Sequence, residues 1–271
     1  MNALARNDFF KFESITKYIP KINSISDLIE ENYLTDIEIV FSGVKEDVES
    51  ITNKDKFMAV IKVLNEIESK FKANKKDYIG TDEFFPKRIS EIFIDKILKI
   101  ESGTPREDGQ EEFLESKDWY VFNANYGTDE EKAFIVLINR LINENFKEKY
   151  DWIYVVRNEL HFKLHNFEDG EAFAPDFVLF MKDREGKKLI YQIFIEPKGQ
   201  FLEETDKWKE QFLLSIRERF NSSDLIKFIE NSRYKLVGLP FYMESKENEF
   251  KDALIDSLEE TNEQRKSHRN K

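Results

Sequence analysis

The segment Ala174-Pro175-Asp176-Phe177-Val178-Leu179-Phe180 and its sequel Tyr191-Gln192-Ile193-Phe194-Ile195-Glu196-Pro197-Lys198-Gly199 decide how this chain is read. Each is a short apolar run rich in aromatic and β-branched residues, the pattern of a strand with little water on either face. The polar stretch Lys182-Asp183-Arg184-Glu185-Gly186-Lys187 joins them as a hairpin. In an antiparallel hairpin the start of one strand lies beside the end of the next, so Asp176 and Glu196 are expected to be neighbours. Residues two apart point the same way, which puts Glu196 and Lys198 on one face. Pro197 carries no N–H and suits a position where pairing ends.

Two adjacent carboxylates repel each other and attract a cation. Hard oxygen ligands of this kind suit Mg²⁺, which keeps several waters for substrate and nucleophile. Asp176, Glu196 and the Pro197 carbonyl are the expected ligands, with Lys198 placed to orient a water or to steady charge on phosphorus. The same residues admit a plainer reading. Asp176 would then simply open a strand, and Glu196 with Lys198 would be an exposed ion pair worth under ~1 kcal/mol. Spacing alone does not choose between the two.

Working outward, Gly127-Thr128-Asp129-Glu130-Glu131 begins a helix, with Thr128 as N-cap and Glu131 as its capping-box partner. Phe134, Leu137, Ile138, Leu141 and Ile142 give that helix its buried stripe. Glu131 is also placed to reach a metal's water shell. Residues 152–157 and 160–167 read as two strands around a tight Asn158-Glu159 turn. Trp208, Phe212, Leu213, Ile216 and Phe220 mark a further helix, residues 234–242 a strand, and residues 245–265 a charged final helix. His161 and His165 share a face with no third ligand in sight. Lys207, Lys209, Arg217 and Arg219 read first as a solvated helix face and second as a phosphate track.

In the first half, residues 9–20 look strand-like and residues 26–31 form a short helix. Residues 36–42 alternate as a strand, with Ile37, Ile39 and Phe41 on one face. Residues 54–72 form an amphipathic helix along Phe57, Ile61, Leu64, Ile67 and Phe71. The period of residues 89–100 is ambiguous. Ser102-Gly103-Thr104-Pro105-Arg106-Glu107-Asp108-Gly109 is the best linker candidate. The expected organisation is a mixed α/β (α+β) chain, with a connecting or docking region over 1–110 and a catalytic domain over 111–271.

Composition narrows the function. The chain has 271 residues, 40% of them hydrophobic and 25 of them phenylalanine, enough for a substantial core. It contains no cysteine, which excludes disulfides, thiolate zinc sites and a cysteine nucleophile. No apolar stretch reaches bilayer length and no signal-peptide core opens the chain, so a cytoplasmic protein without membrane contact is expected. The net charge of −12 argues against tight nonspecific nucleic-acid binding by the chain alone and suggests that a partner brings the DNA. Neither a phosphate-cradling Gly-x-x-x-x-Gly-Lys-Ser/Thr loop nor a Gly-x-Ser-x-Gly elbow occurs.

The order of acidic helix start, strands, Pro-Asp, Glu-x-Lys, helix and strand resembles the PD-(D/E)xK nuclease superfamily. More narrowly, Gly127 to Phe134, Pro175 to Phe180 and Gln192 to Gly199 look like the C-terminal endonuclease domain of the restriction (Res) subunit of type III restriction–modification enzymes. Ile15-Thr16-Lys17-Tyr18-Ile19-Pro20, Tyr78-Ile79-Gly80-Thr81 and Ile92-Phe93-Ile94-Asp95-Lys96 are similar to the segment that follows the helicase motor in those subunits. The resemblance implies a restriction-endonuclease-like core, a mixed sheet flanked by helices. It matches Asp176 and Glu196 to the metal-binding acids, Lys198 to the catalytic lysine, and Glu131, with Glu130 an equally placed neighbour, to the helix glutamate. It implies Mg²⁺ as cofactor, double-stranded DNA as substrate, and the methyltransferase (Mod) subunit and helicase motor as partners. ATP would enter only through that motor, which this chain lacks. The alternatives are a non-catalytic docking module for the motor or methyltransferase, or an autonomous resolvase-type nuclease.

Overall fold

The computed structural model describes residues 7–16, 18–19, 22, 27–30, 34, 37–74, 80–81, 84–85, 87–93, 97–184, 189–200, 206–219, 226–229 and 232–269. The chain divides into two compact units. One comprises Met1–Glu83 with His165–Ala172, the other Phe84–Leu164 with Phe173–Lys271. The expected boundary at 110/111 lies inside the second unit, as does the polar stretch 102–109. That stretch folds into a 3-10 turn at Pro105–Glu107, pinned by the Glu107 carboxylate, which accepts from the Gly103 N–H at 2.8 Å.

Described elements of the first unit are helical. Its helices are α1 (Phe12–Ile15), α2 (Asp27–Glu30), α3 (Lys45–Glu49) and α4 (Asn53–Ala73). The strand expected over residues 9–20 is not formed by the described residues there. The Asn7 side chain accepts from the Phe9 N–H at 2.9 Å and starts a 3-10 turn, Asp8–Phe10, which leads into α1. Helical spacing then buries Phe9, Phe10 and Ile15 together. Residues 37–42 form no strand either. Ile37 and Val40 are exposed, and among the described residues no strand lies alongside for an alternating pattern to pair with. By contrast, α4 matches its periodicity. A Thr52–Asp55 capping box opens it, and Leu64, Ile67 and Phe71 face the cluster around Phe9.

In the second unit the short helices α5 (Ile89–Ile92) and α6 (Glu111–Leu114) precede α7 (Asp129–Leu141), which continues as a π turn through Phe146. Then come β1 (Tyr150–Arg157), β2 (Leu164–His165) and β3 (Ala172–Phe173), each of the latter two straddling the division between the units along the chain, and β4 (Phe177–Asp183), β5 (Leu189–Ile195), α8 (Lys207–Arg219), β6 (Ile226–Ile229), β7 (Ser232–Gly238) and α9 (Glu247–Arg269). Among the described residues the main sheet has five strands in the order β1-β4-β5-β7-β6, and β2 and β3 form a separate pair. All neighbours in the main sheet are antiparallel except β5 and β7, whose parallel pairing is made possible by the α8 crossover.

The strand expected at 160–167 does not pair with β1. Asn158 folds its side chain onto Phe162, accepting from the N–H at 3.1 Å and donating to the carbonyl at 3.0 Å. Glu159 and Leu160 both take left-handed backbone conformations, with φ of 45° and 59°. The chain therefore turns away from the sheet, and β4 takes the place beside β1. The edge strand β6 had no counterpart in the sequence reading.

Phe177, Leu179 and Met181 of β4, with Tyr191, Ile193 and Ile195 of β5, face a core completed by Phe134, Ile138 and Leu141 of α7 and Phe250, Leu254 and Leu258 of α9. Val178, Phe194 and Leu236 alternate to the opposite face, where α8 packs through Phe212, Leu213 and Ile216. The second unit is thus a mixed α/β layer structure with helices on both sides of the sheet. Within it, Lys235 of β7 is buried and its Nζ donates to the Ser257 carbonyl of α9 at 3.0 Å. Among the described residues no helix is long and apolar enough to cross a membrane.

The approach of α8 to the sheet depends on Gly238. A Cβ there would lie 1.9 Å from the Leu213 carbonyl oxygen, a backbone atom that no rotamer change can move. Gly238→Ala is therefore expected to destabilise the protein by at least about 1–3 kcal/mol. Urea denaturation followed by circular dichroism reads the effect; a midpoint equal to that of the parent would show that α8 adjusts freely.

Candidate active site

Register brings the acidic residues together. Phe177 pairs with Ile195, so Asp176 and Glu196, one step beyond each strand, stand opposite each other. The Asp176 N–H donates to Glu196 Oε2 at 3.0 Å. The Asp176 segment is held from the other side as well: Asn158 donates its backbone N–H to the Asp176 carbonyl at 2.8 Å and its side-chain amide to the Pro175 carbonyl at 2.9 Å. Past β5 the chain runs beside Tyr242. The Tyr242 N–H donates to the Glu196 carbonyl at 3.1 Å, and the Lys198 N–H donates to the Tyr242 carbonyl at 2.8 Å. Between these bonds Pro197 sits where no donor is required. Glu196 and Lys198 do share a face, with Lys198 Nζ 2.9 Å from Glu196 Oε1.

The electrostatics are those of crowded, water-poor carboxylates. Burial, then the Glu196 and Glu131 charges, push the Asp176 carboxyl well above the ordinary aspartate range, against the pull of Lys198 and Arg157. Burial likewise raises Glu196, although Lys198 opposes it both as a charge and as a hydrogen-bond donor. Glu131 is raised by burial against the Arg157 charge. For Lys198 burial favours the neutral amine, but Glu196 and Asp206 more than compensate and the ammonium is stabilised.

A pH dependence follows. A carboxyl whose pKa is higher folded than unfolded binds its proton more tightly in the folded state. Its stabilising contribution is full below the unfolded-state pKa and is lost as pH rises through the raised, folded-state value. Melting temperature is therefore expected to fall as pH rises above the ordinary carboxylate range without divalent metal. Millimolar Mg²⁺ should oppose that fall by binding the ionised pair. Scanning calorimetry at several pH values checks this, and equal curves with and without Mg²⁺ would remove the cation from the account.

Glu131 has two engagements already. It completes the capping box with Thr128, its Oε2 accepting from the Thr128 N–H at 3.2 Å. The same oxygen lies 2.7 Å from Arg157 Nη2. Arg157, at the end of β1, also reaches Glu159 Oε1 through Nε at 2.6 Å and Asn125 Oδ1 through Nη1 at 2.7 Å. The packing is tight enough that a Cβ on Gly127 would come within 2.5 Å of Glu131 Oε2. The neighbouring Glu130 points elsewhere: its Oε1 lies 2.7 Å from where a Cβ on Gly199 would sit, beside the turn that follows Lys198. Of the two glutamates, Glu131 acts on Asp176 through its charge while bound to Arg157, and Glu130 lies against the Lys198–Gly199 backbone.

The region is also shared with known sequences. Residues 77–258 match the family model HI_1054_C, described as a C-terminal domain, and residues 1–75 match a family described only as an uncharacterised protein. The chain belongs to the HI_1054_C family. An uncharacterized protein of Haemophilus influenzae is 36% identical over 233 residues, 81% of this chain and 48% of that protein. The chain thus spans about half the length of the curated relative it matches. No solved structure matches. Glu131, Asp176, Glu196 and Lys198 all fall within the HI_1054_C match.

Two charged residues at the site, Asp206 and Arg157, escaped the sequence reading, and a third, Lys209, was read differently. Asp206, just ahead of α8, has Oδ2 2.7 Å from Lys198 Nζ and 3.0 Å from Lys209 Nζ. Burial raises its carboxyl, but the hydrogen bond and charge of Lys198 prevail and hold it below the aspartate range. Lys209, read as a solvated residue or a phosphate contact, is instead buried, with Nζ 6.0 Å above the Phe173 ring. For Arg157 the only signal was an arginine closing an otherwise apolar strand. The histidines do not converge: His161 stacks on Phe93 at 4.6 Å, and His165 Nδ1 meets the Gly170 carbonyl at 3.2 Å.

Among the described residues no group of three or more His, Asp or Glu gathers to hold a metal. The donor set on offer is the Asp176–Glu196 pair, with Pro197 next in sequence. This sparse set fits Mg²⁺, which is commonly held by one or two carboxylates, waters and substrate phosphate. Burial is the main cause of the elevated pKa of both acids, and Lys198 already offsets part of it.

Proposed function

We propose that this protein is a Mg²⁺-dependent endonuclease with a PD-(D/E)xK restriction-endonuclease-like core, the DNA-cutting domain of a type III restriction Res subunit. The observation that carries the proposal is the convergence of Asp176, Glu196 and Lys198 at one end of the β4–β5 hairpin. Asp176, Glu196 and the Pro197 carbonyl would hold the metal. Bound Mg²⁺ supplies Lewis acidity at a phosphate oxygen and lowers the pKa of a coordinated water. Asp176 and Glu196 gather negative charge where a cation and phosphate meet. Lys198, kept protonated by its neighbours, supplies a fixed positive charge for the developing phosphorane oxygens. Glu131 and Arg157 set the local field on Asp176 from the start of α7 and the end of β1.

In this reading double-stranded DNA is the substrate, and the cytoplasm is the place of action. The acidic net charge of −12 leaves recognition of sequence to a methyltransferase partner and movement along DNA to an ATP-driven helicase motor. The direct test is incubation with plasmid DNA and Mg²⁺ or Mn²⁺, alone and with those partners, against a Lys198→Ala control. Nicking or linearisation that requires metal and Lys198 supports the reading. Intact plasmid in every combination overturns it.

A further inference from the structure

Lys198 does not stand alone. Glu196, Lys198, Asp206 and Lys209 form a chain of alternating charges, with contacts of 2.9, 2.7 and 3.0 Å, running from the end of β5 into the first turn of α8. Every member is shielded: the four side chains are between 4% and 14% exposed. A lysine ammonium on a free four-carbon stem samples many rotamers, and its charge aids a reaction only when it is held in one place. Of its three N–H donors, one goes to Glu196 Oε1 and one to Asp206 Oδ2, and among the described residues the third has no acceptor. Two anchors on different elements thus fix the ammonium and leave one donor for an incoming group. Lys209 neutralises the remaining charge of Asp206 and is itself seated over Phe173.

We infer that Asp206 is a positioning residue: it locks the Lys198 ammonium beside the Asp176–Glu196 pair, with Lys209 holding Asp206 in turn. The kinetic consequence rests on the nuclease reading above, but the lock itself does not. Its role differs from that of Glu196, since among the described residues the Asp206 carboxylate meets Lys198 and Lys209 rather than the Asp176 backbone.

The test uses the full chain, labelled with ¹⁵N, and the lysine side-chain ammonium region of the ¹H–¹⁵N spectrum. A lysine held by two carboxylates exchanges its protons slowly and gives a resolved signal, assigned to Lys198 by its loss in Lys198→Arg. That signal is expected to vanish in Asp206→Asn and Asp206→Ala and to return in part in Asp206→Glu. The Lys235 ammonium, buried against Ser257, should stay in place and report that the fold survives. A Lys198 signal unchanged in both Asp206 variants overturns the inference whether or not any DNA is cut. In the cleavage assay, Asp206→Asn should lower kcat by about 10–100-fold with KM for DNA within about 2-fold, and Asp206→Glu should recover part of the loss. A kcat equal to that of the parent also overturns the inference. Absence of cleavage by the parent itself strikes the nuclease reading instead, and the spectra then decide the lock.

Discussion

Asp176→Asn should lower metal-dependent DNA cleavage by more than about 100-fold while raising the melting temperature at neutral pH. The two effects share one cause. Asp176 stands against Glu196 in a recess that penalises charge, and both carboxyls titrate above their ordinary range. Asparagine keeps the size of the side chain and the backbone N–H that Glu196 accepts at 3.0 Å, so the local geometry persists. It removes one negative charge, which relieves the repulsion and stabilises the apo protein. The same loss halves the anionic donor set, and even a change one layer removed from a metal typically costs 10–100-fold in activity or affinity. If the proposed motor accompanies this domain, its ATP hydrolysis should be unchanged, because the substitution acts on the proposed metal site alone. A variant that cuts DNA at the parent rate would refute the site. A variant less stable than the parent at neutral pH would show that the carboxylate pair is not strained.

Arg157→Ala should be the most damaging single change to stability, costing about 3–5 kcal/mol. Its guanidinium meets Glu131, Glu159 and Asn125 at once, and both it and Glu131 have side chains under 10% exposed. Truncation strands the Glu131 charge in the interior at the first turn of α7. A loss of that size is a large share of the roughly 5–15 kcal/mol typical of a folded protein. Lysine is no substitute, since it cannot present three donors in the plane that these partners require. Adding Glu131→Gln to Arg157→Ala should recover part of the loss, because the stranded charge is then gone. Chemical denaturation of the single and double variants gives the coupling directly. A cost below about 1 kcal/mol for Arg157→Ala would mean that solvent reaches Glu131 and that the network is not what holds α7 to β1.

The candidate site was legible in the sequence to the extent that its partners are linked by local rules. Asp176 and Glu196 flank one hairpin, and Glu196 and Lys198 are two apart on one extended segment, so pleat and register carry them together. The Thr128–Glu131 capping box was readable for the same reason, as a contact three residues long. Asp206 and Arg157 were not. Each meets the site across a gap set by how α8 and β1 pack, and nothing in the spacing of an isolated aspartate or arginine encodes that meeting.

The first unit shows the opposite failure. Phe9 to Ile19 is as rich in aromatic and β-branched residues as β4, yet its described part turns helical, because an Asn7 side chain initiates the turn and there is a helix, α4, for its apolar residues to pack on. Residues 37–42 alternate well and still make no strand, since β structure needs a partner edge that composition cannot supply.

By itself, then, the sequence determined the amphipathic stripes of α4 and α7, the β4–β5 hairpin and the placing of two carboxylates and a lysine at its end. Those features follow from periodicities of two and 3.6 residues, which short-range covalent geometry enforces. Tertiary structure alone decided that β4 rather than residues 160–167 lies beside β1, that Glu131 is tied to Arg157, and that Asp206 closes on Lys198. Such choices depend on which buried charges find partners and which strand edges find neighbours, and only the packed chain answers both at once.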